Sequence, residues 1–179
     1  MSLLAQRDAF DIVQIVDGRT HPPESTDLDS YHIFGTPLLA PASGVVTSVV
    51  DDLADQPIGS ADHEHQAGNH LVIDISKGRY LMLAHLREGS IEVEVGDRVS
   101  AGQVIAQVGN SRNTTEPHVH IQALNLPSFE LANRDLVELL RTVRTYPLVL
   151  RDVILIRNGS ESEPAVVDPR RGDVVRPVP

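Results

Sequence analysis

"VEVGDRVSAGQVIAQVGNSRNTTEPHVHIQ", residues 93–122, is the stretch on which the fold turns. Gly96 and Gly102 permit tight turns, because glycine enters left-handed backbone without a Cβ penalty. The apolar residues between and after them, Val99, Val104, Ile105 and Val108, read as short strands. At the far end, "HVHIQAL" (118–124) alternates His118, His120 and Gln122 with Val119, Ile121 and Ala123. Strand side chains point to opposite faces in turn, so the first set shares one face and the second suits a core.

The same texture extends upstream. "GVVTSVV" (44–50), "HLVIDI" (70–75) and "RYLMLAHL" (79–86) are Val- and Leu-rich runs bounded by Gly, Pro, Asn and Asp. The turn "SKG" between the last two predicts a hairpin. "SIEVEV" (90–95) alternates Ile91, Val93 and Val95 with two glutamates and predicts a further strand. Strands at this density, with almost no helical period over 36–124, predict an all-β barrel or sandwich of antiparallel sheets. The long acidic stretch 51–69 reads as a loop. Beyond 126 the pattern changes. "ANRDLVELLRTV" (132–143) predicts one amphipathic helix with Leu136, Leu139, Leu140 and Val143 on a face, and "LVLRDVILI" (148–156) a late strand. The expected organisation is therefore a β domain over 1–126, a helix and strand packing on it over 127–157, and a loosely held tail over 158–179.

Composition removes several functions. There is no cysteine, which excludes disulfides, a thiolate metal site and a cysteine nucleophile. Fifteen Lys and Arg face 25 Asp and Glu, for a net charge of −10, and no basic strip is present, so nucleic acid is not an expected partner. No apolar run nears the ~18 residues of a membrane span. "MSLLAQRDAF" lacks the charged and apolar regions of a signal peptide.

His118 and His120, at i and i+2, lie ~7 Å apart and address the same space. One imidazole can bind a metal while the other handles a proton nearby. Two polar residues on an outward strand face need no such role, however. The surrounding motifs decide between these readings. "FGTPLLAPASGVVTSVV" (34–50), "AGNHLVID" (67–74), "LMLAHL" (81–86), "VEVGDRVSAGQVIAQVGNS" (93–111) and "EPHVHIQ" (116–122) occur in the order of the lysostaphin-type zinc metallopeptidases, the M-twenty-three family of cell-wall endopeptidases. The chain resembles that family over about 34–124.

The resemblance implies a mainly β fold, the barrel-sandwich hybrid with its duplicated hybrid motif. It also implies one zinc ion, a peptide or peptidoglycan substrate, and a place in the bacterial cell envelope or outside the cell. His120 would be a zinc ligand, and His85 and His118 the catalytic pair. One of that pair would orient or deprotonate water, and the other would stabilise the oxyanion. The family's His-x-x-x-Asp is absent. "QRDAFDIVQI" (6–15) resembles a "Q-R-Y-A-x-D-x-V" segment of one subgroup, which makes Asp11 the favoured carboxylate ligand. Asp29, six residues before Gly35, has the ordinary family spacing, but Ser25 then stands where the His should be. His21 could supply the first His from a longer loop, a His could be missing by truncation, or the site could be degenerate. A degenerate domain would bind peptidoglycan or a protein without turnover. A second His-x-His, His63 and His65, lies in the acidic loop and reads as solvated. The hairpin of 93–109 also occurs in biotinyl and lipoyl carriers, but the modifiable Lys of those turns is missing, since the only Lys is Lys77.

Overall fold

The computed structural model describes residues 8–25, 27–60, 66–128, 142–162, 165–170 and 172–178. The apolar runs form strands β1 (Phe10–Ile12), β2 (Pro37–Leu39), β3 (Gly44–Val50), β4 (Asn69–Asp74), β5 (Tyr80–Leu86), β6 (Arg98–Val99), β7 (Val104–Gln107) and β8 (Val119–Leu124). Six of them lie side by side in the order β1-β8-β5-β4-β3-β6, every neighbouring pair antiparallel. β2 and β7 pair separately. The expected antiparallel β class is therefore correct. The path runs from one edge to the other without returning, so the described strands form no closed barrel.

β4 and β5 occupy the middle of the sheet and are buried on both faces. Leu71, Ile73, Leu83 and Leu86 are fully buried. Val72, Met82 and Ala84 form a second cluster with Ala67 and Leu124. Two-sided burial explains why these strands read as continuous apolar runs rather than alternating ones. The β4–β5 hairpin turns through Ser76, Lys77 and Gly78, all at positive φ, as "SKG" predicts. Asp74 stabilises the turn by accepting the Ser76 amide at 2.7 Å.

The strand expected over 90–95 does not form. Val93 is buried, but Val95 is 63% exposed. Two of the segment's backbone amides bond side chains instead of a ladder, and that of Ser90 bonds the nearby Arg87 carbonyl. Asp51 Oδ2 accepts the Ile91 amide at 3.1 Å and Asp97 Oδ2 accepts the Glu94 amide at 2.9 Å. Only Glu92 donates to a strand carbonyl, that of Ile105, at 2.9 Å. Alternation thus marks an extended segment whose hydrogen bonds are met locally.

The chain divides into two compact units, Met1–Thr145 and Tyr146–Pro179. In the second, Leu150–Arg157 pairs antiparallel with Ser160–Glu161, Ala165–Val167 and Val174–Pro177. The expected late strand is present there, and residues 158–179, read as a tail, supply the other three strands. Arg157 clamps Asp173 through two bonds, Nε to Oδ1 at 2.9 Å and Nη2 to Oδ2 at 2.6 Å. The helix expected over 132–143 falls almost wholly outside the described residues, as do His63 and His65.

Candidate active site

One cross-strand row builds the site. Antiparallel register sets Asp11 of β1 opposite His120 of β8, and His120 opposite Ala84 of β5. The Asp11 carboxylate Oδ1 lies 2.8 Å from His120 Nδ1 and 3.7 Å from His118 Nε2. Asp11 is the exposed partner, and the His118 and His120 side chains are only 14% and 11% exposed. The hydrogen bond from His120, aided by the charge of His118, holds the Asp11 carboxyl below the usual carboxylate range against the opposing effect of desolvation.

His85 reaches the same place by leaving its ladder. Asn69 pairs with Leu86 and His70 with Ala84, so His85 is the extra residue of a β-bulge and carries φ +61°. Bulges re-aim a side chain next to functional sites, and a non-glycine residue in left-handed backbone costs on the order of 1 kcal/mol. The His85 ring centroid lies 4.7 Å from that of His118 and 6.0 Å from that of His120. Burial, reinforced by the His118 charge, lowers its pKa to about 3, so His85 is neutral at physiological pH.

Hydrogen bonds fix the tautomers. His85 Nδ1 lies 3.1 Å from the Ser111 carbonyl and His118 Nδ1 lies 2.8 Å from the Glu116 carbonyl. A carbonyl only accepts, so each Nδ1 carries the hydrogen and each Nε2 keeps its lone pair. The Thr114 hydroxyl stands 3.1 Å from His118 Nδ1.

A buried polar frame holds the loop that presents these groups. Ser111 Oγ accepts the Asn69 amide and donates to the Leu86 carbonyl, both at 2.9 Å. Asn69 Oδ1 accepts the Leu53 amide and its Nδ2 donates to the Leu53 and Leu86 carbonyls. Asn110 is tied to Asp55 and Gln56. Asn69, Asn110 and Ser111 are fully buried. Gly68, at φ +57°, lets the two loops close: a Cβ there would sit 2.3 Å from the Ser111 carbonyl oxygen that His85 uses. Sequence reading missed this frame, because Asn, Ser and Gly between strands read as turn formers. Their only signal was the repeated Gly-Asn that opens both "GNH" and "GNS".

Asp11, His85, His118 and His120 therefore lie together. The other two candidates lie elsewhere. His21 stacks on Tyr31 with centroids 4.6 Å apart and bonds the Pro22 carbonyl through Nδ1 at 2.8 Å. Asp29 is exposed in the single 3-10 turn Leu28–Ser30. Among the described residues, no hydrogen bond or ion pair joins either to Asp11 or His120.

Residues 24–128, more than half of the chain, match the family model Peptidase family M23. The chain belongs to that family. A curated relative, an uncharacterized metalloprotease of Haemophilus influenzae, is 32% identical over 115 residues, covering 60% of this chain and 19% of its own length. The chain thus spans about a fifth of that relative. Solved structures that resemble it include a zinc containing peptidase from Vibrio cholerae, with 29% identity, 52% and 24% of the two chains covered and a TM-score of 0.40. Another is the catalytic domain of a prophage-encoded member from Enterococcus faecalis, with 27% identity, 65% and 83% covered and a TM-score of 0.40. The family match begins after Asp11 and His21 and includes Asp29 and the three site histidines.

A carboxylate oxygen beside an imidazole nitrogen is the donor chemistry zinc accepts, and Asp11 and His120 supply it. The fit is incomplete. Among the described residues no group of three or more His, Asp or Glu is arranged to hold a metal ion. The described helices include none long and apolar enough to cross a membrane.

Proposed function

We propose that this chain is a zinc-dependent metalloendopeptidase that hydrolyses peptide bonds in peptidoglycan cross-links or stem peptides. The observation that carries the reading is the convergence of Asp11, His85, His118 and His120, from three strands and the loop before β8, on one place. Asp11 and His120 would hold the metal, and water or a further His would complete its shell. When bound, zinc polarises a carbonyl and acidifies a water.

The histidines divide the proton work. His118 presents the Nε2 lone pair, with the Asp11 carboxylate 3.7 Å away to stabilise the imidazolium. It accepts the proton from the attacking water and delivers it to the leaving amine. His85 is kept neutral by burial, with its Nδ1 hydrogen spent on Ser111. Its Nε2 is an acceptor that orients the water. The finer fold, the duplicated hybrid motif, and a place in the bacterial envelope or outside the cell belong to the same proposal.

A second reading has its own support. The two-donor set favours a degenerate domain that binds peptidoglycan or a protein without turnover. Metal analysis of the purified chain beside His120→Ala separates the two. About one zinc per chain that survives dialysis and is lost in the variant, together with cleavage of a cross-linked stem peptide, is the expected result. No retained zinc and no cleavage after zinc is supplied would leave the degenerate reading.

A further inference from the structure

The first part of the acidic stretch after β3 is not a free loop. Residues 53–59 are bonded repeatedly to the segments around the candidate histidines. The Leu53 amide and carbonyl both bond the Asn69 side chain, at 2.9 and 2.7 Å. Asp55 forms a β-bridge with Ser111. The Gln56 amide donates to the Asn110 carbonyl at 2.9 Å, and the Gln56 carbonyl accepts Asn110 Nδ2 at 2.7 Å. The Gly59 amide donates to the Thr115 carbonyl at 3.0 Å.

Asp55 lies at the centre of this seam, and its two carboxylate oxygens serve two different segments. Oδ2 accepts the Glu88 amide at 3.2 Å, just past His85 at the end of β5. Oδ1 accepts the Asn110 amide at 2.6 Å, one residue before the Ser111 carbonyl that holds His85 Nδ1. Asn110 passes the constraint on. Thr114 Oγ1 lies 3.1 Å from both Asn110 Oδ1 and His118 Nδ1. Asn110 and Thr114 are buried, so these bonds are made away from solvent. Bonds from amides to an ionised carboxylate are shorter and stronger than neutral ones. One short, stiff side chain therefore spans the strand end that follows His85 and the loop that leads to His118.

We propose that Asp55 is a positioning residue of the candidate active site: by clamping the Glu88 and Asn110 amides together, it fixes where His85 and His118 stand relative to each other. Asp55 touches neither ring and acts through the backbone and through Asn110. Its effect on turnover rests on the peptidase reading, and its effect on the His85 ring does not.

The test compares the full parent chain with three variants. Asp55→Ala loses both bonds. Asp55→Asn keeps an acceptor for the shorter one. Asp55→Glu keeps the charge and both oxygens but lengthens the side chain by a methylene. Asp97→Ala is the control, because Asp97 Oδ2 accepts the Glu94 amide in the same manner in the turn before β6. Long-range proton–nitrogen NMR at neutral pH, with the His85 signals assigned from His85→Gln, reports which ring nitrogen carries the hydrogen, since the hydrogen-bond partner sets the tautomer. Steady-state cleavage of a stem peptide gives kcat and KM. In the parent and in Asp55→Asn, His85 should carry its hydrogen on Nδ1. In Asp55→Ala the Ser111 carbonyl is no longer fixed, and the Nε2–H form should appear. Loss of alignment should lower kcat about tenfold in Asp55→Ala with KM nearly unchanged, less in Asp55→Glu, and within about threefold in Asp55→Asn. Asp97→Ala should melt lower while keeping the parent tautomer and kcat, and the same changes in that control would overturn the proposal. In a protein that cleaves, an unchanged kcat in the most disruptive Asp55 variant that folds overturns the proposal and leaves the peptidase standing. In a protein that does not cleave, the peptidase reading falls, and an unchanged His85 tautomer in that variant overturns the proposal.

Discussion

Replacing Ser111 by alanine removes a single oxygen that is fully buried beneath the candidate site. That oxygen makes two bonds of 2.9 Å, from the Asn69 amide and to the Leu86 carbonyl. The two partners fare differently. The Leu86 carbonyl keeps the Asn69 Nδ2 donor at 3.2 Å, so its loss is one ordinary hydrogen bond, about 1 kcal/mol. The Asn69 amide is left buried without an acceptor, which adds about 2 kcal/mol. The vacated space is one hydroxyl, too small for a water to repair the deficit. Ser111→Ala should therefore lose about 3 kcal/mol and melt roughly 10 °C lower. Urea denaturation followed by far-UV circular dichroism measures it, with Ser30→Ala as the comparison. Ser30 bonds only the Asp27 carbonyl at an exposed turn, and its loss should stay within about 0.5 kcal/mol. If Ser111→Ala lost less than about 1 kcal/mol, the buried frame would not be what holds the loop.

Gly68→Ala should both destabilise the protein by about 2 kcal/mol or more and cut turnover at least tenfold, because the new Cβ meets the Ser111 carbonyl on which His85 depends. A melt and a peptide-cleavage rate on the same preparation check it, and a stable, fully active variant would contradict the contact. Thr114→Val keeps shape but removes the hydroxyl 3.1 Å from His118 Nδ1. It should lower kcat several-fold with KM nearly unchanged, whereas a rise confined to KM would point away from proton transfer. In metal-free protein, stability should fall with pH below about 6.5. The folded His85 pKa is about 3 against an ordinary 6.5, so over that window the unfolded chain binds more protons. The slope approaches ~1.4 kcal/mol per pH unit. The lowered Asp11 carboxyl acts in the same direction, its contribution disappearing as pH falls through its folded value. His85→Gln should flatten the curve, and an unchanged slope in that variant would assign the effect to other groups.

The strands legible in the sequence were those whose side chains do the work of burial. Val46, Leu71, Ile73 and Leu83 are core residues in runs that could only be strands. His118 and His120 were legible because period-two alternation fixes which side chains share a face. The bulge at His85 was not, since it arises from a pairing mismatch between β4 and β5 that neither strand carries alone. Residues 90–95 misled because Asp51 and Asp97, distant and local in turn, take the amides a neighbouring strand would have used. The strands within 158–179 were hidden by their composition. Arg157 and Asp173 satisfy each other across that sheet, so charged residues appear where apolar alternation was sought.

Asp11 stands on a strand of three residues at the edge of the sheet, and among the described strands it pairs only with β8. Asp11 and Ile12 are exposed, so little apolar surface anchors the strand. Elements tied down so lightly open at a free energy far below that of global unfolding. The carboxylate half of the site thus sits on the edge strand of the sheet, while His85 and His120 ride on its interior strands and His118 immediately precedes one of them. Amide protons of β1 should exchange with solvent long before those of β4 and β5. Anything that grips or releases that short strand would govern the competence of the centre while leaving the rest of the protein intact.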